Sequence, residues 1–249
     1  MIIDAHVHSI FPRTGSLEEA VSLFQPIVAE ARANGIDKMC VSLPRRNMVK
    51  SNDVIFKLME AYPSEVLGFC FIEPRSEVLV LKELKRSLME RKMVGVKLHI
   101  DCKATDPLLD PIMELVTEMG VPLLQHAWDK VTGNYEFEST PADVANLAER
   151  YPDAKIIMAH LYGARFKGIL DVAPFENVYV DVSGGNPEAG VLEYAVEVLG
   201  PERIIFGSDV PGRDFSVQLS KVTGADLTDR EKKLILSENM LALLGEDIS

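Results

Sequence analysis

Basic residues, cysteine and long apolar runs are all scarce in this chain, and each shortage closes off a class of function. Lysine and arginine number 26 against 38 aspartates and glutamates, a formal net charge of −12. A surface this acidic repels phosphate backbones and anionic membranes, so no nucleic-acid or membrane partner is expected. A small anionic substrate stays open, because a local cationic pocket can oppose the global charge. Only three cysteines occur, Cys40, Cys70 and Cys102, an odd number without metal-type spacing. Cys40 and Cys70 sit in apolar, strand-like runs and read as small buried thiols. No run approaches the ~18 apolar residues that a bilayer requires, and no basic flank with a long apolar stretch opens the sequence. A cytoplasmic, reduced setting is therefore the expectation. Linkers and low-complexity tracts are lacking too, so the 249 residues read as one domain spanning 1–249, a length common among α/β barrels.

What the chain does have is a regular alternation. Short β-branched runs fall at residues 2–8, 36–43, 65–72, 94–100, 121–126, 154–160, 177–183 and 203–209. Amphipathic segments such as SLEEAVSLFQPIVAEARANG, EVLVLKELKRSLMERK and TPADVANLAERYP lie between them. In the last, Thr140 ahead of Pro141 and Asp143 makes a helix start, and Tyr151-Pro152 a stop. Eight strands alternating with helices predict a parallel sheet closed as a (β/α)8 TIM barrel with a C-terminal helix. An open doubly wound sheet is the alternative.

Strand side chains alternate in direction, and the outer face of a barrel must pack against helices. In VGVKLHI this turns Val94, Val96, Leu98 and Ile100 outward and Lys97 and His99 inward. In NVYVDVS the three valines go out, which leaves Tyr179, Asp181 and Ser183 inside. In IIDAHVH the same rule sends Ile3, Ala5 and Val7 out and Asp4, His6 and His8 in. Asp209 shares the inward face of the last strand with Ile205 and Gly207. Polar residues thus gather inside, at the strands' C-terminal ends, where barrels of this kind do chemistry.

All five histidines stand at strand ends: His6, His8, His99, His126 and His160. Structural histidines would scatter into helices and loops as well. His6 and His8, two apart on a strand, share a face with Cα atoms roughly 6.5–7 Å apart. Two imidazoles so placed can converge on one metal ion, whereas buried without a partner they would cost free energy. A third imidazole and a carboxylate would complete a site with a position left for water, as catalytic metals require.

Taken in order, DAHVH, GVKLH, LLQHAWD, MAH and IIFGSDVP resemble the amidohydrolase superfamily. Within it the likeness is to the amidohydrolase 2 group of metal-dependent barrel hydrolases and decarboxylases. The tail SENMLALLG is similar to that group's C-terminal helix, with Met240 where alanine is usual. The resemblance implies one divalent ion, commonly zinc, held by His6, His8, His126 and Asp209. It implies too that His160 contacts the water activated at the metal, with Asp209 as ligand and proton acceptor together. The three-histidine, one-aspartate set suits zinc but accepts manganese, iron or cobalt. In binuclear relatives a fourth-strand lysine is carboxylated and bridges two metals. Lys97 stands at that place, so a second ion is the alternative to Lys97 as a structural or substrate-facing cation. MAHLYG lacks the paired glycines that often follow the sixth-strand histidine, which predicts a differently shaped loop there.

Several residues near the strand ends are candidates for binding substrate. Arg45 or Arg46, after the second strand, could grip a carboxylate as a bidentate fork, and Arg75 after the third is open to the same reading. His99 could line the pocket, and Trp128, the single tryptophan, could wall it. Asp181 and Ser183 read as a hydrogen-bonded network beneath the metal, and Asp4 as a deeper structural group. The polar stretch 127–140 is long for a strand-to-helix connection and is the candidate mobile loop. The expected activity is hydrolysis of an amide, lactone or ester-like bond in a small molecule by a metal-activated water. The alternative is a metal-dependent non-oxidative decarboxylase, because LLQHAWD resembles the His-Pro-Trp-Asp stretch of some decarboxylases. A non-catalytic barrel is the third reading. The resemblance also implies a homo-oligomer, dimer or tetramer.

Overall fold

The computed structural model describes residues 1–45, 47–76 and 79–245, and Arg46 lies outside the described residues. Eight strands run through them: β1 (Ile3–His8), β2 (Lys38–Ser42), β3 (Val66–Phe71), β4 (Gly95–Leu98), β5 (Leu123–Gln125), β6 (Ile156–Met158), β7 (Val178–Asp181) and β8 (Ile204–Ile205). Each pairs in parallel with the next, in sequence order. The sheet then returns on itself. Ala5 N–H donates to Phe206 O at 2.9 Å, Asp209 N–H to His6 O at 2.7 Å, and His8 N–H to Val210 O at 2.7 Å. The result is the TIM barrel expected from the alternation.

The helices follow their strands as the sequence predicts. α1 (Leu17–Ala33) starts where Ser16 accepts from Glu19 N–H. α2 (Met48–Ala61), α3 (Val80–Lys85) and α4 (Asp110–Glu118) come next. α5 (Pro141–Arg150) opens on a reciprocal capping box between Thr140 and Asp143 and stops at Tyr151. α6 (Leu161–Val172), α7 (Val191–Leu199) and α8 (Phe215–Thr223) complete the ring, before α9 (Asp229–Lys233) and α10 (Asn239–Leu244). No described helix is long and apolar enough to cross a membrane.

Alternation sorts the strand residues into two cores. Val96, Leu98, Val178, Val180 and Val182 pack outward with the helices, and Cys40, Phe69, Leu124, Ile157 and Ile205 fill the barrel. β1 departs from the expected faces: Ile3 and Ala5 join the interior cluster, and Val7 alone faces out. The reason is a bulge. Asp4 is level with Met39 and Val7 with Val41, so β1 carries one residue more than β2 over that interval and its phase slips. Val94, also expected outward, precedes β4 and packs against the inner cluster. Ile100 lies beyond the strand and lines cavities at the mouth.

The bottom of the barrel is closed by α10. Met240 and Leu243 join the inner cluster, and the Asn239 amide donates to Ile204 O and Pro201 O, both at 2.7 Å. The Lys155 ammonium donates to Leu243 O at 2.9 Å. Met240 and Leu243 thus fill the floor of the barrel.

Candidate active site

At the opposite end of the barrel lies a cavity of about 600 Å³, lined among others by His8, Arg45, His99, His126, Trp128, His160 and Asp209. The candidates scattered along the sequence are therefore brought together, because consecutive strands deliver their last residues to one rim.

The centre is the β1 pair. His6 is fully buried and His8 is partly exposed to the cavity, and their Nε2 atoms approach to 3.1 Å. Asp209 Oδ1 stands 3.4 Å from His8 Nε2 and 3.8 Å from His6 Nε2. These three donor atoms lie within 4.8 Å of one another. The other ends of both rings are engaged: His6 Nδ1 donates to Asp181 Oδ2 at 2.9 Å, and His8 Nδ1 faces Ser42 Oγ at 3.1 Å. An ionised carboxylate can only accept, so His6 carries its proton on Nδ1 and turns a lone pair toward the centre. Lys97 Nζ, fully buried, sits 3.1 Å from that same Nε2.

Asp181 organises the layer beneath. Its Oδ1 accepts from the backbone N–H of His160 at 3.0 Å and of Ser183 at 2.9 Å, and from the Ser183 hydroxyl as well. Ser183 Oγ in turn lies 2.8 Å from His160 Nδ1, leaving His160 Nε2 pointed inward, 3.2 Å from His126 Nδ1. His160 and Asp209 both hold positive φ, 73° and 65°, a conformation that costs a non-glycine residue free energy and recurs at functional sites. Gly184, at φ 80°, makes room for His160: a Cβ there would come within 2.8 Å of the His160 Cβ. After His160 the chain enters α6 directly, and Arg165 at φ 56° breaks that helix.

His126 lies outside both tight donor groups among the described residues, the second being His6, His160 and Asp181. Its Nε2 donates to Glu138 Oε1 at 2.9 Å, while its Nδ1 faces inward. Glu138 is a buried carboxylate that sequence reasoning missed. Nothing in YEFEST separates it from exposed Glu136, and its partner is twelve residues upstream. Glu138 Oε2 also takes Lys130 Nζ at 2.7 Å and Tyr135 N–H at 3.0 Å. Together with bonds from Trp128 N–H to Ser139 O and from the Asn134 amide to Trp128 O, these tie the 127–140 loop to itself. Trp128 does wall the pocket. Its ring lies 5.1 Å from that of His160, and Gly163 leaves the space for it, since a Cβ there would stand 2.6 Å from the indole. A smaller cavity of about 280 Å³ is also lined by Trp128, with Tyr162 and Arg165.

Among the outer candidates, Arg45 is exposed at the rim and lines the main cavity. Arg75 is turned aside, paired with Asp106 at 2.5 Å and stacked over Phe137. His99 lines the cavity between His8 and His126, with ring centroids 6.4 and 5.1 Å away.

Burial and charge set the protonation of the site. Burial pushes His8 down to about 4 and His99 to about 2, and holds His126 and His160 below the usual imidazole range, His160 far below. Burial likewise lowers Lys97 to about 8 and raises Asp4 to about 7. Burial opposes the ionisation of Asp181 and Asp209, yet His6 and His160 beside the first, and the His8 hydrogen bond on the second, hold both well below the carboxylate range. Glu138 behaves alike: burial would raise it, and bonds from His126, Lys130 and Tyr135 bring it to about 2.

This donor set fits a divalent cation. Two ionised carboxylates face one ammonium, a local excess of negative charge at the bottom of the cavity. Two imidazole nitrogens also crowd together where one lone pair is already directed inward.

The family model described as amidohydrolase (Amidohydro_2) matches residues 3–245. No curated protein matches the chain. Among solved structures, 5-carboxyvanillate decarboxylase from Sphingomonas paucimobilis superposes with a TM-score of 0.76 at 16% identity, over 98% of each chain. The 4-oxalomesaconate hydratase from Rhodopseudomonas palustris does so at 0.74 and 16%, over 98% of this chain and 95% of the other. A dihydroxybenzoic acid decarboxylase from Polaromonas sp. JS666 with bound manganese gives 0.75 at 18%, over 98% and 96%. These likenesses show a shared barrel. Because the family model runs from the first strand to α10, the chain belongs to the amidohydrolase family, whose members are metal-dependent enzymes.

Proposed function

We propose that this protein is a metal-dependent hydrolase that opens an amide, lactone or ester-like bond in a small anionic molecule. The observation that carries the reading is Asp209: one carboxylate, held ionised, that faces two imidazole nitrogens and the open cavity together. In this reading His6, His8, His126 and Asp209 hold one divalent ion, most naturally zinc. The ion supplies Lewis acidity, which makes water acidic near neutral pH and polarises a substrate oxygen.

The chain's own residues do the rest. Asp209 accepts the proton of the attacking water, a role suited to a carboxylate that stays ionised. His160 donates through Nδ1 to Ser183, whose own proton goes to Asp181, so its Nε2 lone pair can accept a hydrogen bond from the attacking water and orient it, while the proton taken up by Asp209 is the one returned to the leaving group. Arg45 at the rim binds a substrate carboxylate, and His99 and Trp128 shape the space between. Lys97 is the buried cation that balances Asp181 and Asp209. Its carboxylation to bridge a second ion is the alternative, and metal content per chain decides it.

Decarboxylation is the second reading, favoured by the likeness to decarboxylases and by an aromatic wall and an arginine that line one cavity. The test is product analysis on lactones, amides and carboxylated aromatics: hydrolysis consumes water and releases an acid, whereas decarboxylation releases CO₂. Asp209→Asn should cut turnover at least ~100-fold with the fold intact by circular dichroism. Unchanged turnover removes Asp209 from the chemistry.

A further inference from the structure

The β5–α5 loop carries one buried charged group that the proposed chemistry does not use. Glu138 is 1% exposed, and both of its oxygens are occupied. Oε1 accepts from His126 Nε2, and Oε2 accepts from Lys130 Nζ and Tyr135 N–H, while Glu138 N–H donates to Tyr135 O. The carboxylate is thus fixed by its own loop before it meets the histidine. An ionised carboxylate cannot donate, so the proton of His126 must sit on Nε2 and the lone pair on Nδ1, the nitrogen that faces the interior. His6 and His8 present the opposite nitrogen, Nε2, to the centre. For His126 to act alongside them, its ring must be held in the reverse tautomer; the contact of its Nδ1 with His160 Nε2 at 3.2 Å does not supply this, because Ser183, whose own proton goes to Asp181, accepts from His160 Nδ1 and leaves that Nε2 without a proton.

We infer that Glu138 is a positioning residue that locks His126 as an Nδ1 donor, so that the 127–140 loop sets how tightly the site holds its metal. This rests on the reading of His126 as a ligand. Replacing Glu138 by glutamine keeps the shape but offers an amide that can turn its N–H₂ to Nε2 and drive the proton to Nδ1, where it blocks coordination. Carboxylate partners of metal-bound histidines typically contribute 10–100-fold to affinity.

The experiment measures zinc affinity of the full chain by competition with a chromophoric chelator, for wild type, Glu138→Gln, Glu136→Gln and His126→Ala. In parallel, nitrogen NMR of the metal-free wild type reports which His126 nitrogen bears the proton. The expected result is a 10–100-fold weaker affinity in Glu138→Gln, little change in the exposed neighbour Glu136→Gln, a clear loss in His126→Ala, and a proton on Nε2. Wild-type affinity in Glu138→Gln beside a loss in His126→Ala overturns the role of Glu138 alone. Wild-type affinity in His126→Ala removes His126 from the ligand set and this inference with it. A proton found on Nδ1 of the wild type overturns the inference even where the glutamine variant fails to fold.

Discussion

The side chains gathered at the mouth differ in how plainly the sequence announced them. Histidine is rare here and falls only at strand ends, so His6, His8 and His160 stood out by position and Asp209 by its inward face, while the roles assigned to them came from the family resemblance. Lys97, Asp181 and Ser183 followed from alternation once their strands were assigned, and the structure brings them where that rule sends them. Ser42 and Glu138 gave no such signal, because a serine in a strand and a glutamate in a polar loop are ordinary. Their meaning comes from partners distant along the chain. Gly184 was equally silent, yet its lack of a side chain is what seats His160. A Gly184→Ala variant should lose about 1–2 kcal/mol from the left-handed backbone, since the penalty there is of that order, and should lower turnover by displacing His160. Thermal denaturation and steady-state kinetics read the two effects, and an unaltered Tm would show that the backbone relaxes.

Whole segments were easier to read than their faces. All eight strands fall within the runs marked by β-branched residues, and α5 begins and ends at the capping residues named for it. The phase of β1 was beyond reach, because a bulge leaves no trace in an apolar-polar pattern and only the partner strand shows the extra residue. The 127–140 segment stood out by length and polarity as a candidate mobile loop; in the structure its internal hydrogen bonds tie it together as a compact buttress beside His126. α10 was visible as a tail motif, while its work as the barrel's floor was not. Met240→Ala should cost about 2–5 kcal/mol, the usual range for a buried methionine, because the barrel floor cannot collapse around the gap. Chemical denaturation measures it. A loss below about 1 kcal/mol would mean that Leu243 slides in to fill the space.

Across the molecule, acidic composition and a buried imidazole cluster bear on pH. His8, His99, His126 and His160 all have lowered pKa values in the folded chain, first of all through burial. The unfolded chain therefore binds more protons than the folded one once pH drops below about 6.5, and stability falls with it. Each unit of depression is worth about 1.4 kcal/mol at full development. The metal-free protein should accordingly show a lower Tm at pH 5.5 than at pH 7.5, and an equal Tm would mean that the imidazoles are solvated. Zinc should raise Tm at pH 7.5, since a ligand that binds only the folded chain stabilises it.

The seam between β1 and β8 joins the two ends of the chain, with His6 and His8 on one side and Asp209 on the other. Their donor atoms come within reach of one another only when that seam is closed, so a cage for a cation exists in the folded barrel and not in a chain whose first and eighth strands are still apart. An ion held there would be a clasp on a ring already drawn shut.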